Sequence, residues 1–201
     1  MVELLIAHNG DQSNEFFDVF SSCADMAKEL CLKHSVKWDC VTTPKLTSDE
    51  VCGKISNFQM LFIAAHGDNE TIYNENDNEV VSLHTTNYDF ANKGFYTVSC
   101  NSANKLAPEL HRIGLSLFVG YDDEFWVQGD IEPFCECALA GLDSLLMGET
   151  VAVAKKKMED MFDEKIVQLK TINSFAEKLL THDKIHLCFE GDDNLTINDL
   201  Q

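Results

Sequence analysis

Two hydropathy patterns take turns along the chain. One is the short, continuous apolar run of a buried strand, and the other is the three- and four-residue recurrence of an amphipathic helix. Residues 4–7 form a first apolar run, and Phe16, Phe20, Cys23, Ala27 and Leu30 then share one helical face. Residues 36–41 read as a second strand. Thr47 and Glu50 form a capping pair ahead of Val51, Ile55 and Phe58, which predicts a second helix. Residues 60–65 are apolar without interruption, as a central parallel strand covered on both faces requires, and the run stops at His66-Gly67-Asp68. The acidic stretch 69–82 carries β-prone patches at Thr71-Ile72-Tyr73 and Val80-Val81, which predict a hairpin excursion. Residues 95–98 form another buried strand, ending at Ser99-Cys100-Asn101. A short helix follows, with Pro108 near its first turn and Gly114 at its end. Residues 115–119 make the next strand, ending at Gly120-Tyr121-Asp122-Asp123. From about residue 133 the chain is helix-rich. One helix reaches Gly148, a longer one carries Met158, Phe162, Ile166, Leu169, Ile172 and Leu179, and residues 186–189 form a last strand before an acidic tail.

Strands alternating with helices imply right-handed crossovers and an α/β fold: a mostly parallel sheet with helices on both faces. The 201 residues suit one domain spanning 1–201, large enough to bury its core without disulfide or metal staples. The first residues have no basic segment, and their apolar run is too short for a leader. No stretch approaches the roughly 20 apolar residues of a membrane span. The expectation is a cytoplasmic protein, with its eight scattered cysteines as reduced thiols. A formal charge of -19 argues against a nucleic-acid or anionic-membrane surface and favours, at most, a basic substrate segment.

In open parallel sheets, functional groups collect beyond the carboxyl ends of the strands. Three predicted strand ends carry reactive or charged groups: His66-Gly67-Asp68, Ser99-Cys100-Asn101 and Asp122-Asp123. A thiol needs help to lose its proton and a leaving amine needs a proton. A histidine on a neighbouring strand supplies both. The segments Leu61-Phe62-Ile63-Ala64-Ala65-His66-Gly67 and Phe95-Tyr96-Thr97-Val98-Ser99-Cys100-Asn101-Ser102-Ala103 resemble the caspase-like (clan CD) cysteine peptidases. In wording they are most similar to bacterial CHAT-domain proteases.

The resemblance implies a caspase-like three-layer sandwich with a six-stranded sheet and a His/Cys dyad. Cys100 would be the nucleophile and His66 the general acid and base. The backbone N–H groups of Gly67 and Cys100 would form the oxyanion hole. It also implies a protein or peptide substrate, a sensor or activator protein in defence circuits, and no cofactor. The caspase Gln-Ala-Cys-X-Gly signature is absent, since Val98-Ser99-Cys100-Asn101-Ser102 stands in its place, so aspartate specificity is not carried over. The alternative reading is a catalytically silent caspase-like domain that holds a peptide in the same cleft.

With acids at its strand ends, the chain is expected to cleave after Arg or Lys. Asp123 leads as the pocket residue, followed by Asp122, Asp68 and Asp11, although an Asp-Asp-Glu run in so acidic a chain also reads as a solvated loop. His8, which ends the first strand, is a subsite residue at most. Cys135-Glu136-Cys137 and His182 with His186 are poorly spaced for a structural zinc site, and no metal is expected. Lys155-Lys156-Lys157 reads as a solvated helix face or, on local unfolding, a self-cleavage point.

Overall fold

The protein, described from a computed structural model, is resolved into named elements over residues 3–84 and 89–201. Met1 and Val2, where the leader expectation begins, lie outside them. Five parallel strands and one antiparallel strand form a sheet in the order β2-β1-β3-β6-β7-β8. They are β1 (Glu3–His8), β2 (Lys37–Thr42), β3 (Met60–Ala64), β6 (Gly94–Val98), β7 (Leu117–Tyr121) and the antiparallel edge β8 (Leu187–Gly191). The expected excursion is a hairpin of β4 (Thr71–Tyr73) and β5 (Glu79–Ser82).

Strand alternation splits the apolar side chains between two cores. Leu4, Ile6, Phe62, Tyr96, Val98 and Val119 point to one face, where α1 (Phe17–His34), α4 (Glu132–Leu146), α5 (Val151–Leu169) and α6 (Ser174–Ile185) cover them. Leu5, Ala7, Leu61, Ile63, Phe95 and Phe118 point to the other, covered by α2 (Ser48–Ile55), α3 (Leu106–Arg112) and the hairpin. All five residues of β3, β6 and β7 are buried, as strands covered on both faces must be. The architecture is the expected caspase-like α/β sandwich.

Local signals account for the helix boundaries. The Thr47 hydroxyl accepts the Glu50 N–H at 3.3 Å and starts α2. The long helix expected through 158–179 is two helices. Asn173 accepts the N–H groups of Phe175 and Ala176 and so begins α6, while Ile172, expected on the apolar stripe, is 80% exposed in the break. A capping asparagine overrides the periodicity there. The break lets α6 turn back beside β7, where its face helps to build the site.

Candidate active site

β3 and β6 pair in parallel with Ala64 opposite Val98. His66 and Cys100 each follow two residues beyond that last pair, so they sit side by side at the carboxyl edge of the sheet centre. Both side chains face one small cavity of about 60 Å³, walled by Phe16, Phe20, Val98, Phe125 and Val127. The turn after Cys100 is held from the neighbouring strand: the Asn101 N–H donates to the Asp123 carbonyl (2.9 Å), and Ala103 N–H to that of Tyr121 (2.9 Å). Asn101 has φ of 56°, a left-handed conformation that asparagine tolerates better than most residues.

The His66 ring stands edge-on between Phe16 and Phe20, with centroids at 5.3 and 5.2 Å. The Asn14 amide lies against Nε2, with Nδ2 at 2.9 Å and Oδ1 at 3.2 Å. Oδ1 also accepts the Phe16 N–H at 2.8 Å, which anchors the amide to the turn before α1. Asn14 therefore engages the Nε2 nitrogen of the ring. Burial pushes the His66 pKa below its ordinary value, with Glu15 and Asp77 acting the other way. Burial likewise pushes the Cys100 thiol up, reinforced by the charges of Glu124, Asp183 and Asp123 and opposed by the Phe125 N–H. Both shifts favour neutral imidazole and neutral thiol over an ion pair.

Gly67 follows the histidine where a side chain has no room: an added Cβ would lie 3.0 Å from the Cys100 carbonyl oxygen and 3.0 Å from the Ser99 Cβ. Its neighbours tie it to the hairpin through Asp68 N–H to Thr71 O and Tyr73 N–H to His66 O, both 2.9 Å. In this antiparallel arrangement Gly67 is the residue whose own N–H turns away from the hairpin.

From Cys100 a cleft of about 730 Å³ opens outward between Glu15, Phe16, the segment 124–128, and Phe175 and Leu179 of α6. Its walls are apolar and aromatic, with Trp126 46% and Phe175 55% exposed. Glu15 and Glu124 are the acids among its lining residues, and no lysine or arginine joins them. Beneath the 124–128 segment, one turn along α6 from Leu179, Asp183 is fully buried. Its Oδ1 accepts the Trp126 N–H at 2.9 Å. Its Oδ2 has no partner among the described residues, and burial lifts its pKa to about 8 against that N–H bond.

The acids expected to serve the pocket fall elsewhere. Asp122 receives the His186 Nδ1–H at 2.7 Å, and Asp123 lies 3.6 Å from His186 Nε2, so both carboxylates are turned toward α6 beside the cleft. Asp68 accepts from Glu70 and Thr71 N–H and from the Tyr73 hydroxyl, so it organises the hairpin. Burial raises its carboxyl, but these bonds, with the charge of Lys105, hold it below the usual range. Asp11 holds the Ser13 N–H and hydroxyl in the turn before α1. His8 is buried at the end of β1, with Nε2 3.2 Å from the Thr42 hydroxyl, and lines neither space. Cys135 and Cys137 are packed in the core, away from His182 and His186. Phe16 and Phe20 are expected from the sequence only as a helical apolar face, and Asn14 and Asp183, which act here through hydrogen bonds to His66 and Trp126, are not singled out in it. The one advance signal for Asn14 is its place before the α1 periodicity.

The fold is that of caspase-like peptidases. A solved structure with this fold is an Arg-specific cysteine proteinase, gingipain R (TM-score 0.70, 12% identity), matched over 98% of this chain and 48% of the gingipain chain. The chain thus spans about half of that protein's length. No protein-family model and no curated protein sequence matches it.

Proposed function

We propose that the protein is a cysteine endopeptidase that cleaves a protein chain after a basic residue with a Cys100/His66 dyad. The observation that carries this reading is the register of β3 and β6, which sets His66 and Cys100 side by side on one cavity at the head of an open cleft. In the working tautomer the His66 Nε2–H is given to Asn14 Oδ1, and Nδ1 takes the thiol proton as Sγ attacks the scissile carbonyl carbon. The oxyanion that forms is met by the Gly67 and Cys100 N–H groups. Collapse breaks the C–N bond, and the leaving amine takes the proton from His66. Water then attacks the thioester, giving a proton to His66 that returns to sulfur as the acid product leaves. The Phe125 N–H stabilises the thiolate in passing.

The cleft chemistry supports a basic side chain before the cut. The long stem of Arg or Lys packs along Phe16, Trp126 and Phe175, and its charged head meets Glu15 and Glu124 near the exposed indole face. Asp122 and Asp123 add to the negative field alongside. We read the protein as similar to the CHAT-type proteases and as a cytosolic enzyme awaiting an activator. No helix among the described residues is long and apolar enough to cross a membrane.

An acyloxymethyl ketone with Arg before the warhead tests the whole reading. Mass spectrometry should find it attached to Cys100, and less of it on a His66→Ala chain. A probe that leaves Cys100 unlabelled while an Arg-containing peptide still binds would convert the enzyme into the silent binding module.

A further inference from the structure

Directly beside the cleft, two histidines one helical turn apart face a loop carboxylate. His182 lies in the last turn of α6 and His186 follows the helix end, with ring centroids 4.4 Å apart. One potential ligand atom from each, together with a carboxylate oxygen of Asp123, lies within 4.8 Å of the others. Spacing of i and i+4 puts both rings on one side of a helix, and the antiparallel β7–β8 pairing brings that side against residues 122–124.

The hydrogen bonds around the cluster are those that prepare imidazoles to bind metal. The His186 Nδ1–H is given to Asp122 Oδ1 at 2.7 Å, which directs the Nε2 lone pair at the Asp123 side. The His182 Nε2–H is given to the Glu124 carbonyl at 3.1 Å, which leaves Nδ1 as its lone-pair nitrogen. A carboxylate or carbonyl on the far nitrogen of a ligating histidine fixes its tautomer and raises its basicity. The 3.6 Å from His186 Nε2 to Asp123 Oδ2 exceeds a good hydrogen bond. It is close to the roughly 3.4 Å between two ligand atoms that each sit about 2.1 Å from a tetrahedral ion. Two imidazoles and a carboxylate favour zinc and its neighbours over the all-oxygen shells of calcium or magnesium.

We propose that Asp123, His182 and His186 bind a zinc-type divalent transition-metal ion, oriented by Asp122 and the Glu124 carbonyl, that pins the cleft wall to α6. Such a site departs from the sequence expectation of no metal. The ligand Asp123 also holds the turn after Cys100 through its carbonyl, and the adjacent Glu124 and Trp126 line the cleft. An ion here would therefore fix the position of the wall against which substrate packs.

Zinc titrated calorimetrically into a Cys100→Ser chain, so that the cavity thiol is no ligand, is the test. One ion should bind per chain. His182→Ala and His186→Ala should each weaken it at least tenfold. Asp122→Asn, which keeps all three ligands, should weaken it by about 10–100-fold. Cobalt in place of zinc should give the intense visible bands of a tetrahedral site, lost in His186→Ala. Metal-free circular dichroism melts of the variants should match the parent, and if one histidine variant is unfolded the other and Asp122→Asn decide. Absence of saturable binding, or binding equally tight in the folded histidine variants, would overturn the site. Because binding is read without turnover, either result is independent of whether the chain is a peptidase.

Discussion

β1 and β3 are adjacent parallel strands that end alike, in His8-Asn9-Gly10 and His66-Gly67-Asp68, yet the two histidines have opposite environments. His8 pairs with Ala64, still inside the sheet, and its ring is buried against Thr42 and Cys40 of β2. Burial first, and then the charge of Lys28, push its pKa to about 4. His66 lies two residues beyond that register, where the sheet has ended, and its ring is clamped between aromatics from α1 with one nitrogen held by Asn14. Even the glycines differ in what they accommodate: a Cβ on Gly10 would strike the Thr42 hydroxyl, whereas one on Gly67 would press on the Cys100 loop. The register carries His66, but not His8, past the last ladder pair to the edge where β6 brings Cys100, which is the placement the proposed dyad needs.

The largest effect should come from breaking the productive member of this comparison. Cys100→Ala should abolish turnover while leaving the melting temperature near that of the parent. His66→Ala should cost about 10²–10⁴-fold in kcat. The double variant should be no worse than the Cys100 single, since both groups serve one step. Iodoacetamide labelling of Cys100 should be slow at neutral pH and climb through the alkaline range, because its thiol is pushed up. A rate already at plateau near pH 6 would mean a resting thiolate–imidazolium pair and would refute the neutral assignment.

The buried member should matter for stability instead. In the unfolded chain His8 titrates near 6.5, in the fold at about 4. Between those values the unfolded state binds more protons, so stability is full above pH 6.5 and falls as the pH drops toward 4. The loss is at most about 3.5 kcal/mol at roughly 1.4 kcal/mol per pKa unit. Urea melts at pH 7 and 4.5 should show this decline reduced in His8→Gln, with turnover at pH 7 within about twofold of the parent. A His8→Gln chain that folds but loses catalysis would place His8 in the site after all.

Between these in subtlety is Asn14, which holds His66 with a side-chain amide where His8 meets the Thr42 hydroxyl. Asn14→Ala should lower kcat about tenfold, or roughly 1.4 kcal/mol, with little change in KM. Asn14→Asp should shift the acid limb of the kcat/KM profile upward, since a carboxylate beside the ring favours the imidazolium. An unmoved profile would make Asn14 a packing residue only.

The sheet, the hairpin and the His66/Cys100 juxtaposition were legible in the chain, because continuous apolar runs stopped at unusual residues and parallel strands share one carboxyl edge. The split between α5 and α6 was not, since one asparagine cap outweighed a continuing stripe of Ile166, Leu169 and Leu179. The cleft wall was illegible for a different reason. Phe175 and Leu179 share a cleft with Cys100 through the return of α6, and Asp183 is buried where it accepts the Trp126 N–H. Pocket acids placed by proximity to strand ends could not be told apart before the direction of each carboxylate was known.

That direction yields the smallest and sharpest test. Asp123 was the acid nearest the expected pocket, but its carboxylate is turned to His186, while Glu124, next along the chain, lines the cleft. Both side chains are partly open to water, so screening limits either contribution. Glu124→Gln should cost up to about 1 kcal/mol in kcat/KM on an Arg substrate, near fivefold, and this cost should shrink as salt is added. Asp123→Asn, assayed with a chelator present so that metal binding does not intervene, should change it by less than about twofold. Against a substrate with Leu before the cut, neither variant should be impaired, because the lost interaction is with positive charge. If Asp123→Asn is the more damaging change on Arg, its carboxylate must swing away from His186 into the cleft when substrate enters, and strand-end proximity, not the resting geometry, would be the better guide to the pocket.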